Sequence, residues 1–157
     1  MKFKKVFISE AKNKILAHSL TLKDKRLRKG KLLSQKDIEY LASNSISKIF
    51  VAEISKDDIN ENSAAEKITN HVISKGIVKT KAVNGRADFY SSISGMLNFD
   101  LKSLININYN NNDIALSTLE RYSLVSKGQL IGNVKVLPYA MQKRKLDKIL
   151  QSQKYKS

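Results

Sequence analysis

The sequence predicts an α+β fold with a mostly antiparallel sheet of short strands and two or three short helices. Three observations carry this expectation. Short runs of β-branched and aromatic residues recur along the chain, separated by Gly, Asn, Ser and Lys turns. A few segments place apolar residues at helical spacing behind a capping residue. Long apolar strands strictly alternating with helices, which a parallel βαβ sheet needs, do not occur.

Taken in order, residues 3–8 (FKKVFI) are β formers and read as a strand. Residues 15–20 (ILAHSL) read as a second, ending in a polar turn over 21–25. Lys29-Gly30-Lys31 interrupts 27–33 as a turn. The clearest helix is 34–43. Ser34 is its N-cap candidate, and Asp37, three residues on, makes the acidic variant of a capping box. Leu33 and Ile38 occupy hydrophobic-staple positions, and Ile38, Leu41 and Ala42 form one apolar face. Asn44-Ser45 stops the helix, and 48–54 reads as a strand. Asp58 is expected to open the next helix, with Glu61 in its first turn, a stripe of Ala65, Ile68 and Val72, and Gly76 as its stop.

Residues 77–83 are strand-like, and Asn84-Gly85 is a turn pair. Residues 89–99 read as strand pieces broken at Gly95. Asp100 caps a short helix through Leu104 and Ile105, and 106–112 is an asparagine-rich loop. Short strands are expected at 114–119 and 122–125. The turn Ser126-Lys127-Gly128 then leads into 129–137, where Leu130, Gly132, Val134 and Val136 share a face, so that 122–137 reads as a hairpin. Pro138, the single proline, ends it. Leu146, Ile149 and Leu150 sit at helical spacing in a basic tail, a marginal amphipathic helix. We therefore expect one module over 1–140 and a basic helical tail over 141–157.

A length of 157 residues suits one domain that buries an ordinary core without a staple. The lack of cysteine removes disulfides, thiolate nucleophiles and cysteine zinc sites together. The apolar stretch at residues 6–8 is too short for a signal-peptide core, and no run approaches the roughly 18 apolar residues of a membrane span. The expectation is a soluble, cytoplasmic protein with no membrane partner. The net charge is +15. Such a field attracts nucleic acid or acidic surfaces. The excess is mostly lysine, in a chain also rich in asparagine and isoleucine, which is the bias of an AT-rich coding sequence. The charge is accordingly read first as compositional.

Chemistry-bearing patterns are sparse. His18 and His71 lie far apart, without acidic or histidine neighbours at ligand spacing, so no metal is expected. Asp57, Asp58 and Glu61 read as favourable charge at a helix start. Gly85-Arg86 is sharper: a glycine turn beside a guanidinium fork that suits phosphate or carboxylate, weighed evenly against a solvated hairpin tip. The run KDKRLRKGK at 23–31 has no interleaved aromatic residues, so it offers no stacking platform. No phosphate loop, nucleophile elbow or Ser/His/Asp set can be assembled.

The segment RLRKGKLLSQKDIEYLASNSISKIFVAEI resembles a stretch of molybdopterin molybdenumtransferase, in which a basic or glycine turn and a capped helix lead into a strand. Ser45 stands where that family usually has glycine. A wider resemblance, over most of 3–140, is to a molybdopterin-binding protein family whose longer members carry a nucleotidyltransferase domain. It rests on LAHS at 16–19, KGKLLSQKDI at 29–38, the Asp58/Glu61 helix start, Gly85-Arg86 and TLERYSLVSKGQLIGNVKVLPYA at 118–140. The family's catalytic chemistry belongs to a following domain with a threonine-glycine-aspartate-glutamate type motif, absent from these 157 residues. The resemblance thus implies no catalytic residue here and no catalysis by the chain alone. It implies an accessory or N-terminal module of molybdenum-cofactor biosynthesis, with molybdopterin as ligand or substrate and no tightly bound cofactor. The implied partner is a molybdopterin-binding or nucleotidyltransferase catalytic domain, or a second copy of the chain. Arg86, Lys29 and Lys135 are the cations expected to meet a phosphate or carboxylate, with His18 behind them. Two other readings stay open: a nucleic-acid-binding module driven by charge, and a structural interaction domain. KGKLLSQKDI also resembles small β-clip domains, which fits the latter.

Overall fold

Two sets of buried apolar side chains organise the chain. One draws on residues 6–51 and the other on residues 64–150. The computed structural model describes residues 1–109 and 112–151, and its contacts divide into units Met1–Lys56 and Asp57–Ser157. The fold is α+β, with antiparallel strand pairing in both units and four α-helices among the described residues. None of the helices there is long and apolar enough to cross a membrane.

In the first unit, β1 (Lys2–Phe7) runs into a 3-10 turn (Ile8–Glu10). The chain continues through β2 (Ile15–Leu16), β3 (Leu20–Thr21), β4 (Arg26–Leu27), α1 (Gln35–Ser43) and β5 (Lys48–Glu53). β5 lies between β1 and β2 in one antiparallel sheet. Period-two alternation sorts its side chains. Val6, Ile49, Val51 and Leu16 are buried on one face, with Leu27, Leu33, Ile38 and Leu41 in the same core. The expected strand over 15–20 is broken into β2 and β3, and β3 pairs with β4 instead of joining the sheet.

Helix α1 follows its sequence signals at both ends. The Ser34 hydroxyl accepts from the Asp37 N–H at 3.3 Å, while Asp37 Oδ2 accepts from the Ser34 N–H at 3.0 Å. This reciprocal capping box satisfies first-turn donors that the helix itself leaves unpaired. At the other end, Ile46 N–H donates to Leu41 O at 3.1 Å and Ser45 N–H to Ala42 O at 3.0 Å. That is a Schellman closure, with Ser45 left-handed at φ 59°.

The second unit contains β6 (Asp58–Asn60), α2 (Glu61–Val72), β7 (Ile77–Lys79), β8 (Arg86–Ser91), β9 (Gly95–Met96) and α3 (Leu101–Tyr109). It continues with β10 (Ile114–Thr118), β11 (Leu124–Val125), β12 (Leu130–Val136), β13 (Ala140–Gln142) and α4 (Lys143–Gln151). A four-stranded antiparallel sheet has the order β10-β12-β8-β7. Its inner face, including Ala87, Phe89, Val134 and Val136, shares a core with Ala64, Ala65 and Ile68 of α2, Ile107 of α3, and Leu146 and Leu150 of α4.

Several elements differ from the sequence reading. Asp58 does not open a helix: it is buried in β6, paired with Gln142, and Asn60 is the cap, accepting from Ser63 N–H at 2.9 Å. Helix α3 runs to Tyr109, into part of the expected loop; Asn110 and Asn111 of that loop lie outside the described residues. β11 pairs with β9, not with β12, so the expected hairpin over 122–137 does not form. Between Leu130 and Gly132 the register slips by one residue, a bulge that turns Leu130 outward and Ile131 into the core. Gly132 then passes so close to β10 that a Cβ there would sit 2.3 Å from Ser117 O. The tail begins with a strand, β13, before α4; residues 152–157 lie outside the described residues.

Candidate functional site

The site grows from the Asn84-Gly85 turn. Val83 and Arg86 exchange backbone hydrogen bonds of 2.9 and 3.0 Å, while Asn84 and Gly85 adopt φ of 50° and 73°. That is the two-residue turn an Asn-Gly pair favours. The turn is tethered on both sides. Gly85 N–H donates to Asn62 Oδ1 on α2 at 2.7 Å, and Gly85 O accepts from Val136 N–H at 2.8 Å. A Cβ at Gly85 would lie 2.7 Å from Val136 O and 3.1 Å from Glu61 Cβ, so glycine is required by space as well as by φ.

This tether sets two cations side by side. Arg86 on β8 pairs directly with Lys135 on β12, with both side chains on the outward face of the sheet. Arg86 Nε donates to Asp88 Oδ1 at 2.8 Å, leaving a half-exposed guanidinium whose terminal nitrogens remain for a further acceptor. The Lys135 ammonium donates to the Asn84 carbonyl, which holds it at the turn. Glu61, at the start of α2, faces the same place. Burial pushes its carboxyl above the ordinary value, against the pull of the Lys135 ammonium. Burial, and then the Glu61 carboxylate, push the Tyr139 hydroxyl up. Tyr139 O also accepts from Glu61 N–H at 2.9 Å. A buried carboxyl beside the Lys135 ammonium, with Arg86 directly across the strand pair, forms a locus that one small anionic group can join.

The candidates thus divide. Arg86 and Lys135 are brought together in the second unit; Lys29 and His18 belong to the first. Lys29 is exposed, and its backbone N–H donates to Ser19 Oγ at 3.0 Å. His18 is exposed and packs edge-on against Phe50, centroids 5.6 Å apart. Among the described residues, no group of three or more His, Asp or Glu side chains is arranged to hold a metal. Sequence reasoning missed Glu61 and Asn62 as partners of the Gly85 turn, because residues more than twenty positions apart meet only through folding.

A family model matches residues 5–53. Its description is a domain of unknown function (DUF8806), and the matched segment lies within the first unit and covers less than half of the chain. No curated protein and no solved structure matches the chain.

The second unit also holds a cavity of about 310 Å³, lined mainly by apolar side chains such as Ile77, Phe89, Phe99 and Ile107, with His71 and Ser103 among its polar groups. No sequence signal pointed to it, since its lining is drawn from six separate elements and the loops between them.

Proposed function

We propose that the chain is an accessory module of molybdenum-cofactor biosynthesis, one that binds the anionic part of molybdopterin without catalysing its conversion. The observation that carries the reading is the direct pairing of Arg86 and Lys135 across β8 and β12. Gly85-Arg86 and the segment 118–140 are the stretches whose order resembles the molybdopterin-binding proteins. A guanidinium fork and an adjacent ammonium suit a phosphate monoester. The module works with a molybdopterin-binding or nucleotidyltransferase catalytic domain supplied from outside these 157 residues, in the cytoplasm. Molybdopterin is a passing ligand in this reading, not a resident cofactor.

The test is calorimetry with molybdopterin, together with turnover of a molybdenumtransferase or nucleotidyltransferase with and without the protein. Arg86→Ala and Lys135→Ala should each weaken binding by about tenfold, the usual consequence of removing one charge-assisted hydrogen bond. Glu61→Gln should strengthen it, because a competing carboxylate is removed. No binding to molybdopterin and no change in turnover would reject the proposal.

A further inference from the structure

Alternation along β1 and β5 leaves three phenylalanines exposed on one face of the first unit's sheet, around a buried Ala52. Phe3, Phe7 and Phe50 on that face are 60%, 52% and 47% exposed. The register sets Phe3 opposite Ala52, Lys5 opposite Phe50, and Phe7 opposite Lys48. Phe50 is therefore diagonal to both Phe3 and Phe7, a separation of about 7–8 Å between backbone positions. The three rings form one zigzag row, with an ammonium group over two of them. Lys48 Nζ lies 4.3 Å from the Phe7 ring centroid and Lys5 Nζ 5.8 Å from that of Phe50. His18 closes the far side of Phe50. None of these facing positions carries a carboxylate. Glu53, at the end of β5, pairs with Lys2 in the register and is bound by Lys4 and Lys14 on the opposite face.

We propose that this face binds single-stranded nucleic acid, with unpaired bases stacking on Phe3, Phe50 and Phe7 and the backbone phosphates meeting Lys5 and Lys48. Bases have π-faces on both sides, so a row of exposed rings on a rigid sheet takes them with little regard to sequence, and flanking cations neutralise the backbone. A duplex buries its base faces and cannot use the rings. A second copy of the chain is the poorer fit: a two-fold face-to-face pairing would gather the Lys5 and Lys48 of both copies into one interface that holds no carboxylate. The proposal is independent of Arg86 and Lys135, which belong to the other unit.

The experiment uses the full chain with fluorescein-labelled oligo(dT) and oligo(U) of about 12 nucleotides, a length within the usual single-strand site range. The chain has no tryptophan, so Phe50→Trp supplies a single reporter. Single strands should bind, should quench that tryptophan, and should bind at least tenfold more tightly than a duplex of matched length. Phe50→Ala and Phe7→Leu should each weaken binding about tenfold with unchanged circular dichroism, and Phe50→Tyr should restore it, since a ring and not mere apolarity is needed. Equal affinity for duplex, or Phe variants that bind as tightly as the parent, would reduce the interaction to charge alone and overturn the proposal. So would capture by anionic phospholipid vesicles with no oligonucleotide binding, or a dimer in sedimentation that the Phe variants dissociate.

Discussion

Ser45 and Asp37 sit at the two ends of the same helix and show how single side chains set local stability. Ser45 closes α1 in a left-handed conformation that glycine adopts without steric cost. Ser45→Gly should therefore stabilise the first unit by about 1 kcal/mol in urea unfolding, the scale of the left-handed penalty for a residue with a Cβ. Asp37 is buried, which by itself raises its pKa. The Lys31 ammonium at 2.5 Å and the hydroxyl and N–H of Ser34 outweigh that and hold the carboxyl at about 2, below its ordinary 3.8. A carboxyl lowered on folding stabilises the native state above its unfolded pKa, and that stabilisation is lost as pH falls through the folded value. Stability should thus fall between about pH 4 and pH 2. Asp37→Asn should flatten this acid limb and cost on the order of 2 kcal/mol at neutral pH. An unchanged acid limb in the variant would contradict the assignment.

Elements show the same logic with larger energies. The amphipathic tail looks marginal from its sequence, because short isolated helices are unstable in water. In the folded unit α4 is anchored by Leu146 and Leu150, both in the core, and enters from β13, which pairs with β6. Leu146 is fully buried, so Leu146→Ala should destabilise the second unit by about 2–5 kcal/mol, measured by urea unfolding. A cost below about 1 kcal/mol would show that α4 is not held in the core. The bulge in β12 is the other decisive element. It lets Ile131 and Gly132 both face inward and brings β10 against a backbone that has no room for a Cβ.

At the scale of the molecule, each unit has its own core, with no buried residue in common. Cooperative unfolding follows cores, so opening should be regional. Native-state hydrogen exchange on Leu41→Ala should speed amides of residues 1–56 selectively, and on Leu146→Ala those of residues 57–151. Uniform acceleration across both by either variant would show one cooperative unit. The functional proposals divide in the same way: an anion locus at Arg86 and Lys135 in one unit, and a stacking face at Phe3, Phe7 and Phe50 in the other.

The α+β class, the capped α1 and the Asn84-Gly85 turn were legible in the sequence because each rests on residues within four positions of one another. Capping, turn chemistry and period-two alternation are local physics. Residues 3–8 read only as a strand; the register of Phe3, Lys5 and Phe7 with Lys48 and Phe50 is what sets the rings in a row. The division after Lys56, the pairing of β11 with β9, the burial of Asp58 and the meeting of Glu61, Gly85 and Lys135 had no local signature. Each depends on which distant strand occupies a neighbouring edge. That choice is made by the fit of whole apolar faces, and the tertiary structure alone records it.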